Sequence, residues 1–500
     1  MAKNHAGLSI WHLTMLALGT VVGGSFFLGS AIAIKTAGPG ILISFILGGI
    51  LVYIVLTALS EMTIAYRTPG SFRSYAQQMF GPAAGFIIGW VYWTGLTLAM
   101  SSEATAAAVF IGSWIPGLSL PLTATIIIIV ITLINLIGAR LLTTLESGLA
   151  LIKLSAIAAF ILAAIVLIIG LIPGRAPVGL GVLPTEPFLP AGIAGIAGSM
   201  LIVMFSYAGF EVIGLAATEA RDPHRTVPRA IIYTIAGLVG PYVITVMVLL
   251  PLLPTGRFTE NVSPLVSGLT ARGLGWAAGF INFILVTAIL STMLAAMFGM
   301  GRMIRSLADD GYAPSWLKEK WDVPRRGILF SGAGMLAGMA LAYILPGCLY
   351  IFLISSGGFA LLFTYVIIMA THYKYRQVHG CPPTGHCQLW GYPYTTLLAL
   401  FSLILIIISM PLVTGQGSGL VAGLILLGIY VLSYLILKAT ALKRAKSPIT
   451  VRSLLELDRL AQFNPIWAKG GILNPVTDLE AGEELKPQPK CPQIQHKHKE

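Results

Sequence analysis

Two apolar stretches of the sequence contain glycines and hydroxyl side chains at points where an uninterrupted apolar helix would carry bulky residues. The first, LALGTVVGGSFFLGSA, has glycines at positions 19, 23 and 24. The second, FSYAGFE, places Gly209 two residues before Glu211. Glycine inside a helix costs about 1 kcal/mol relative to alanine, so both stretches favour a local interruption. An interrupted helix exposes backbone N–H and C=O groups, and these can bind a small polar solute.

Exposed peptide groups of both kinds suit a solute that carries both charges. Amides at the start of a helix lie at the positive end of its dipole and favour a carboxylate, here the amides of 23–25. The carbonyls of Val21, Phe205 and Ala208 would accept hydrogen bonds from an ammonium group. A zwitterionic α-amino acid needs both. The predicted substrate site consists of Thr20, Val21, Val22, Gly23, Gly24, Ser25, Phe205, Tyr207 and Ala208.

Ionisable residues inside apolar stretches are rare and mark candidate functional positions. Lys153 lies one to two turns into the fifth stretch. There it either gains and loses a proton as the conformation changes or extends its ammonium to the membrane interface. Glu103 lies deep in the third stretch and serves either the substrate or a structural hydrogen bond. Glu61 lies near the end of the second stretch, where a structural role at a helix interface is favoured.

The composition excludes an ordinary soluble domain. The 500 residues are 56% hydrophobic and 10% charged, whereas soluble domains carry roughly 25% charged residues. The apolar runs are long enough for membrane helices, which need about 20 residues, and too long for barrel strands. Four cysteines exclude a disulfide scaffold. We therefore predict an all-α polytopic membrane protein.

Apolar runs predict about twelve transmembrane helices. They lie near 9–35, 39–66, 82–115, 120–140, 148–172, 193–217, 229–254, 273–301, 327–346, 350–372, 393–413 and 419–438. With a cytoplasmic N-terminus, fourteen lysines and arginines fall in inner loops and four in outer loops, which satisfies the positive-inside rule. We predict that both termini are cytoplasmic. The orientation of the chain in the membrane, rather than nucleic-acid binding, then explains the net charge of +12.

The spans predict one transport domain, 1–438, followed by a cytoplasmic tail, 439–500. Five spans in 9–172 and five in 193–372 form two repeats, the second inverted because five is odd. Helices near 393–438 are peripheral. Leucines at helical spacing predict an amphipathic or simply solvated helix near 450–462. The loop at 379–387, HGCPPTGHC, matches no standard zinc module, so no metal is predicted. A reducing cytoplasm disfavours a disulfide there.

Several segments together resemble a known family. They are GTVVGGSFFLGS in the first span, ALSEM at 58–62, TPGSF at 68–72, NLIGARLLTTLESGLALIKL at 135–154, FSYAGFEVIGLAATEARDPHRTVPRAI at 205–231 and RSLADDGYAPSWL at 305–317. The chain resembles amino-acid permeases of the amino acid–polyamine–organocation superfamily. The resemblance implies a LeuT-type five-plus-five inverted repeat with two peripheral helices, and transport of amino acids.

The resemblance also implies roles for individual residues. Phe205 would stack over the substrate as a gate, unless it is a packing residue. Lys153 would lie beside Ser291 and Thr292, where related sodium-coupled carriers bind Na⁺. Glu211 would respond to protonation, unless it ties loose backbone amides together. The sequence departs from the family at Gly24-Ser25, where the usual order is Ser/Thr-Gly, and the Ser25 side chain narrows the carboxylate subsite.

The predicted function is secondary active transport in the cell membrane. We expect proton-coupled uptake of small neutral amino acids by alternating access. The alternatives are an amino-acid exchanger and a non-transporting nutrient sensor. The sequence has no phosphate-binding Walker motif and no paired catalytic groups, so neither an enzyme nor a cofactor is predicted. The expected partners are an amino acid, a proton and the lipid bilayer, without nucleic acid.

Overall fold

The computed structural model describes residues 9–65, 71–137, 139–173, 176–216, 220, 222–319, 323–341, 348–381 and 388–445. In these residues the regular structure is helical, with no strand, and this confirms the all-α prediction. The α-helices are α1 Ile10–Val21, α2 Gly24–Phe27, α3 Gly29–Ala37, α4 Ile41–Ala65, α5 Phe72–Phe80, α6 Pro82–Gly112, α7 Leu120–Asn135, α8 Ala139–Ile169, α9 Gly192–Tyr207, α10 Val212–Ala216, α11 Pro223–Leu249, α12 Pro264–Ala271, α13 Gly275–Asp309, α14 Arg325–Ala340, α15 Leu349–His379, α16 Tyr394–Ser409 and α17 Gln416–Ala445.

Ten of the twelve predicted spans each correspond to one of these helices, while the first corresponds to α1, α2 and α3 and the sixth to α9 and α10. Within the described residues, nine helical stretches are long and apolar enough to cross a bilayer, and α1 and α7 are shorter apolar helices. Two helices run past the apolar residues, α13 to Asp309 and α15 to His379. A helix continues where its residues become polar because its hydrogen bonds are internal. The protein is therefore polytopic, while the inverted relation of the two repeats stays a prediction.

Helix α6 is central to the packing, since it contacts α5, α7, α13, α14 and α15. Its contact with α15 is close because small residues face each other. A Cβ atom added to Gly95 would lie 2.8 Å from the Cβ of Ala360, and one added to Gly357 would lie 3.1 Å from the amide nitrogen of Ala99. Small residues let two membrane helices approach closely, so α6 and α15 form one packed pair.

Helices α16 and α17, the predicted peripheral pair, expose large apolar side chains such as Phe401, Leu405, Leu424 and Ile425. Such surfaces suit contact with lipid. Backbone contacts divide the chain into two units, 1–434 and 435–500. Of the second unit, the structure describes 435–445, the last residues of α17.

Two predictions concern the C-terminal half of the chain. The amphipathic helix near 450–462 lies outside the described residues, as do His386 and Cys387 of the 379–387 loop. Cys381, which follows α15, is disulfide-bonded, contrary to the expectation that a reducing cytoplasm disfavours a disulfide here. That expectation was based on the redox state of the cytoplasm, which does not decide whether two sulfur atoms lie within bonding distance.

A candidate substrate site at two broken helices

The first predicted interruption is present between α1 and α2. Helix α1 ends at Val21, and Val22 has an extended backbone, with φ −72° and ψ 101°. Gly23 is also extended, with φ −148° and ψ −166°, and α2 begins at Gly24. Peptide groups on both sides of such a break lose their helical partners. The break therefore exposes carbonyls at the end of α1 and amides at the start of α2.

The second predicted interruption is present between α9 and α10. Helix α9 ends at Tyr207, and Ala208 is extended, with ψ 148°. Gly209 has φ 107°, a conformation that favours glycine. A Cβ atom on Gly209 would also lie 2.9 Å from the carbonyl oxygen of Thr20. Glycine is thus needed at this position both for its backbone conformation and for its contact with α1.

The two breaks contact each other through a pair of hydroxyl groups. The Thr20 hydroxyl donates to the carbonyl of Gly209 over 3.1 Å. The Ser206 hydroxyl donates to the carbonyl of Ser25, also over 3.1 Å. The exposed peptide groups of both interrupted helices consequently lie in one region of the buried interior.

The amides at the start of α2 bind a carboxylate of the chain itself. Glu103 of α6 accepts from the amide of Gly24 at 2.5 Å and from the amide of Ser25 at 2.9 Å. Its side chain is buried. Both amides were predicted to bind a substrate carboxylate, but in this structure Glu103 occupies them. The sequence does not decide between the two roles of Glu103, because the residues whose amides it binds lie 78 and 79 positions away.

The carbonyl side of the same break binds a lysine. The Lys153 ammonium donates to the carbonyl of Gly19 at 2.5 Å and to the Thr292 hydroxyl at 2.8 Å. Thr292 in turn donates to the carbonyl of Val22 at 2.8 Å. Lys153 is 0% exposed, so the alternative in which it extends to the membrane interface is wrong. The neighbouring Ser291 hydroxyl is buried and has no hydrogen-bond partner among the described residues.

The charges at the first break follow the polarity of the helix ends. The end of a helix carries partial negative charge and its start partial positive charge. Lys153 binds the end of α1, and Glu103 binds the start of α2. The chain therefore supplies a carboxylate to the amides that were predicted to bind a substrate carboxylate, and an ammonium to the carbonyl of Gly19, two residues before the predicted Val21 carbonyl.

Glu211 binds an exposed backbone amide at the second break. Its carboxylate accepts from the amide of Gly209, from the Tyr365 hydroxyl and from the Tyr92 hydroxyl, each at 3.0 Å. The side chain is 0% exposed. Tying loose backbone amides was one of the two roles considered for Glu211, and these contacts fit it. Neither tyrosine was among the predicted site residues, although a hydroxyl group inside an apolar helix indicates a candidate functional position.

Two predicted aromatic residues lie beside the breaks. Tyr207 donates its hydroxyl to the carbonyl of Phe45 in α4 at 3.0 Å and stacks on Tyr242, with ring centroids 5.5 Å apart. Its hydroxyl is therefore already bound by another helix. Phe205 is buried. Its carbonyl accepts from the amide of Ala208 at 3.1 Å, and a carbonyl oxygen has a second lone pair with which it can accept from another donor.

Glu61 lies outside the two breaks. Its carboxylate pairs with the Arg376 guanidinium, accepting at 2.9 Å, and also accepts from the amide of Leu389 at 3.2 Å. It thus joins α4 to α15 and to the segment before α16. This arrangement matches the structural interface role that the sequence favoured.

Comparison with known proteins identifies the family. Residues 12–449 match the family described as amino acid permease. The chain is 31% identical over 446 residues to the gamma-aminobutyric acid permease of Bacillus subtilis (strain 168), covering 88% of this chain and 95% of that protein. It is 31% identical over 412 residues to the aromatic amino acid transport protein AroP of Corynebacterium glutamicum, covering 80% and 89%. It is 29% identical over 433 residues to the probable threonine/serine transporter YbxG of B. subtilis, covering 86% and 94%. The chain belongs to the amino acid permease family.

Proposed function

We propose that this protein is a proton-coupled secondary active transporter that moves amino acids across the cell membrane by alternating access. The observation that carries the proposal is the contact between two broken helices, whose exposed peptide groups lie among buried charges. Backbone groups can recognise the carboxylate and ammonium common to all amino acids. The names of the relatives, which cover gamma-aminobutyric acid, aromatic amino acids and threonine or serine, support the same substrate class.

Crowding at the first break supports small neutral substrates. A Cβ atom on Gly24 would lie 2.9 Å from the Cβ of Ala106 and 3.1 Å from Cδ1 of Ile289. The Ser25 side chain is buried in the same region. The Ala106 and Ile289 side chains leave room only for a short substrate side chain, and the nearby Glu103 carboxylate is already bound to the amides of Gly24 and Ser25. We therefore favour serine, threonine and alanine.

Lys153 is the proposed coupling group, with Thr292 and Ser291 beside it. While protonated, its ammonium holds the carbonyl of Gly19 and the Thr292 hydroxyl. Loss of the proton would weaken both contacts because the charge that strengthens them disappears. The end of α1 would then be released from α8 and α13. A proton could thus control the position of the first break. Glu211 was predicted as a second coupling residue, but its three donors favour a tethering role.

The distribution of basic residues among the loops predicts that both termini are cytoplasmic, so the outer side of the membrane is the side opposite the termini. Inward transport is therefore measured with an acidic outer compartment. The purified protein is reconstituted into proteoliposomes and offered radiolabelled serine, threonine, alanine, gamma-aminobutyrate and phenylalanine. We expect accumulation of a small neutral amino acid above equilibrium and its loss on adding an uncoupler.

Other outcomes identify the competing functions. Uptake that needs an amino acid inside and ignores the pH gradient would make the protein an exchanger. Saturable binding without any flux would make it a sensor. Accumulation of phenylalanine in preference to serine would contradict the proposed size selectivity while leaving transport intact. Protein-free liposomes provide the background.

A further inference from the structure

Tyr242 of α11 is a buried tyrosine whose hydroxyl group has no hydrogen-bond partner among the described residues. Its side chain is 0% exposed. A buried hydroxyl without a partner is unfavourable, so buried tyrosines usually bind a polar group. Two tyrosines at the second break do so: Tyr365 donates to Glu211, and Tyr207 donates to the carbonyl of Phe45. The hydroxyl of Tyr242 thus remains available to a ligand.

The ring of Tyr242 contacts both broken helices. It stacks on Phe26 of α2, with ring centroids 3.6 Å apart, and on Tyr207 at the end of α9, with centroids 5.5 Å apart. Phe45 of α4 contacts it at nearly a right angle. Its hydroxyl also lies close enough to Glu103, which binds the first break, for the two groups to interact electrostatically. Three aromatic neighbours fix the hydroxyl in position, and this lowers the entropic cost of binding a ligand.

The ligand group that suits this hydroxyl is small, polar and uncharged. In the proposed transport cycle, backbone groups bind the carboxylate and the ammonium of the amino acid, which leaves the substrate's side chain for Tyr242. A neutral tyrosine provides no opposite charge for an ionised side chain, and burying an unpaired charge is unfavourable. The tyrosine hydroxyl can both donate and accept a hydrogen bond. The side-chain hydroxyl of serine or threonine has the same two capacities, so the two groups are complementary.

We propose that the Tyr242 hydroxyl binds the side-chain hydroxyl of the substrate and thereby selects serine and threonine over alanine. The inference rests on the proposed transport function and names the residue that determines its side-chain selectivity. When serine is bound, the two hydroxyl groups satisfy each other. When alanine is bound, Tyr242 stays without a partner. A site that binds a substrate hydroxyl disfavours the analogue without it, because the polar group of the protein is then left unpaired.

Binding of two substrates to two proteins isolates this contact. Radiolabelled serine and alanine are each titrated onto the purified full-length wild type and onto Tyr242→Phe, which keeps the stacked ring and removes the hydroxyl. The quantity compared is the Kd for alanine divided by the Kd for serine. We expect this ratio to fall about fivefold in the variant, because one hydrogen bond between neutral groups is lost. Serine should bind more weakly, while the Kd for alanine should be nearly unchanged.

Two further tyrosine-to-phenylalanine variants are the matched controls. Tyr233→Phe removes a hydroxyl from the same helix, at a side chain that is 56% exposed. Tyr350→Phe in α15 removes another buried tyrosine hydroxyl that has no partner among the described residues. The Tyr350 oxygen lies beside α3, 3.4 Å from the position of a Cβ atom added to Gly29. Both controls should keep the wild-type ratio of the two Kd values.

Thermal unfolding in detergent separates a binding role of the hydroxyl from a structural one. Because the hydroxyl has no partner in the described part of the chain, substrate-free Tyr242→Phe should unfold at the wild-type temperature or above it. A saturating concentration of alanine should raise the unfolding temperature of both proteins equally. Serine, at one fixed concentration, should raise that of the wild type more than that of the variant, because it binds the wild type more tightly.

Several results would overturn the inference. One is a Tyr242→Phe protein that keeps the wild-type ratio of the two Kd values. Another is an equal loss of affinity for serine and alanine, since the hydroxyl would then bind a group that both share. A third is a clear drop in the unfolding temperature of the substrate-free variant, which would make the hydroxyl structural. A wild type that binds phenylalanine in preference to serine would also contradict it and leave transport intact, whereas failure to bind or move any amino acid would contradict the proposed function itself.

Discussion

The peptide groups exposed at the two broken helices are bound by different kinds of partner. The break between α9 and α10 is bound by Glu211, which lies two residues from the amide of Gly209 that it accepts from. The break between α1 and α2 is bound by Glu103 and Lys153, which belong to α6 and α8. A local carboxylate can keep its contact with the Gly209 amide when its break moves, although Tyr92 and Tyr365 also bind it to α6 and α15. Charges from other helices instead make the first break depend on how those helices are placed, so the first break is the better position for a group that responds to substrate or protons.

The largest effect is expected from Lys153→Met, which removes the distant cation from the first break. The carbonyl of Gly19 would lose its charged donor, and Glu103 would lose the nearby positive charge. We expect accumulation driven by a pH gradient to be abolished, with some exchange remaining, and a loss of about 2 kcal/mol in stability. Proteoliposome uptake and thermal unfolding in detergent measure the two effects. Lys35→Met is the matched control, because Lys35 is exposed. Normal accumulation by Lys153→Met would remove the coupling role from Lys153.

A smaller effect is expected from Glu211→Gln in the second break. Glutamine has one acceptor oxygen for the three donors that Glu211 accepts from, and its NH₂ group adds donors. We expect slower transport and a stability loss of about 1–2 kcal/mol, but an unchanged dependence of uptake on the pH gradient. Initial rates measured at several outer pH values check this. A variant that still exchanges substrate but ignores the gradient would place Glu211 among the coupling residues, as the sequence suggested.

The smallest effects are expected from Tyr92→Phe and Tyr365→Phe. Each removes one hydroxyl donor from Glu211 and leaves the aromatic ring in place. A single hydrogen bond inside a membrane protein contributes about 1 kcal/mol or less, so each variant should transport at a slightly reduced rate. The double variant should approach Glu211→Gln in stability, since both remove donor–acceptor pairs from the same carboxylate. A fully inactive single variant would mean that the tyrosine contacts the substrate itself.

The sequence predicted the features that depend on local composition. Apolar length located the helices, and glycine spacing located both interruptions, because helix continuity is decided by neighbouring residues. Binding of local amides was also one of the two roles that the sequence predicted for Glu211. It could not predict that Glu103 binds Gly24 and Ser25, since this contact requires α6 to lie beside α2. The bound hydroxyl of Tyr207 was missed for the same reason, as its acceptor lies in α4.

Helix α6 contacts both breaks, through Tyr92 at the second and Glu103 at the first. Eleven residues separate these positions, which corresponds to about 16 Å and three turns of an α-helix. Three full turns bring both side chains to nearly the same side of α6, about 20° apart. Because an α-helix resists compression, α6 acts as a spacer of fixed length between the two breaks. One residue inserted between positions 92 and 103 would rotate one contact by about 100° relative to the other, and the two breaks could no longer be bound by the same helix.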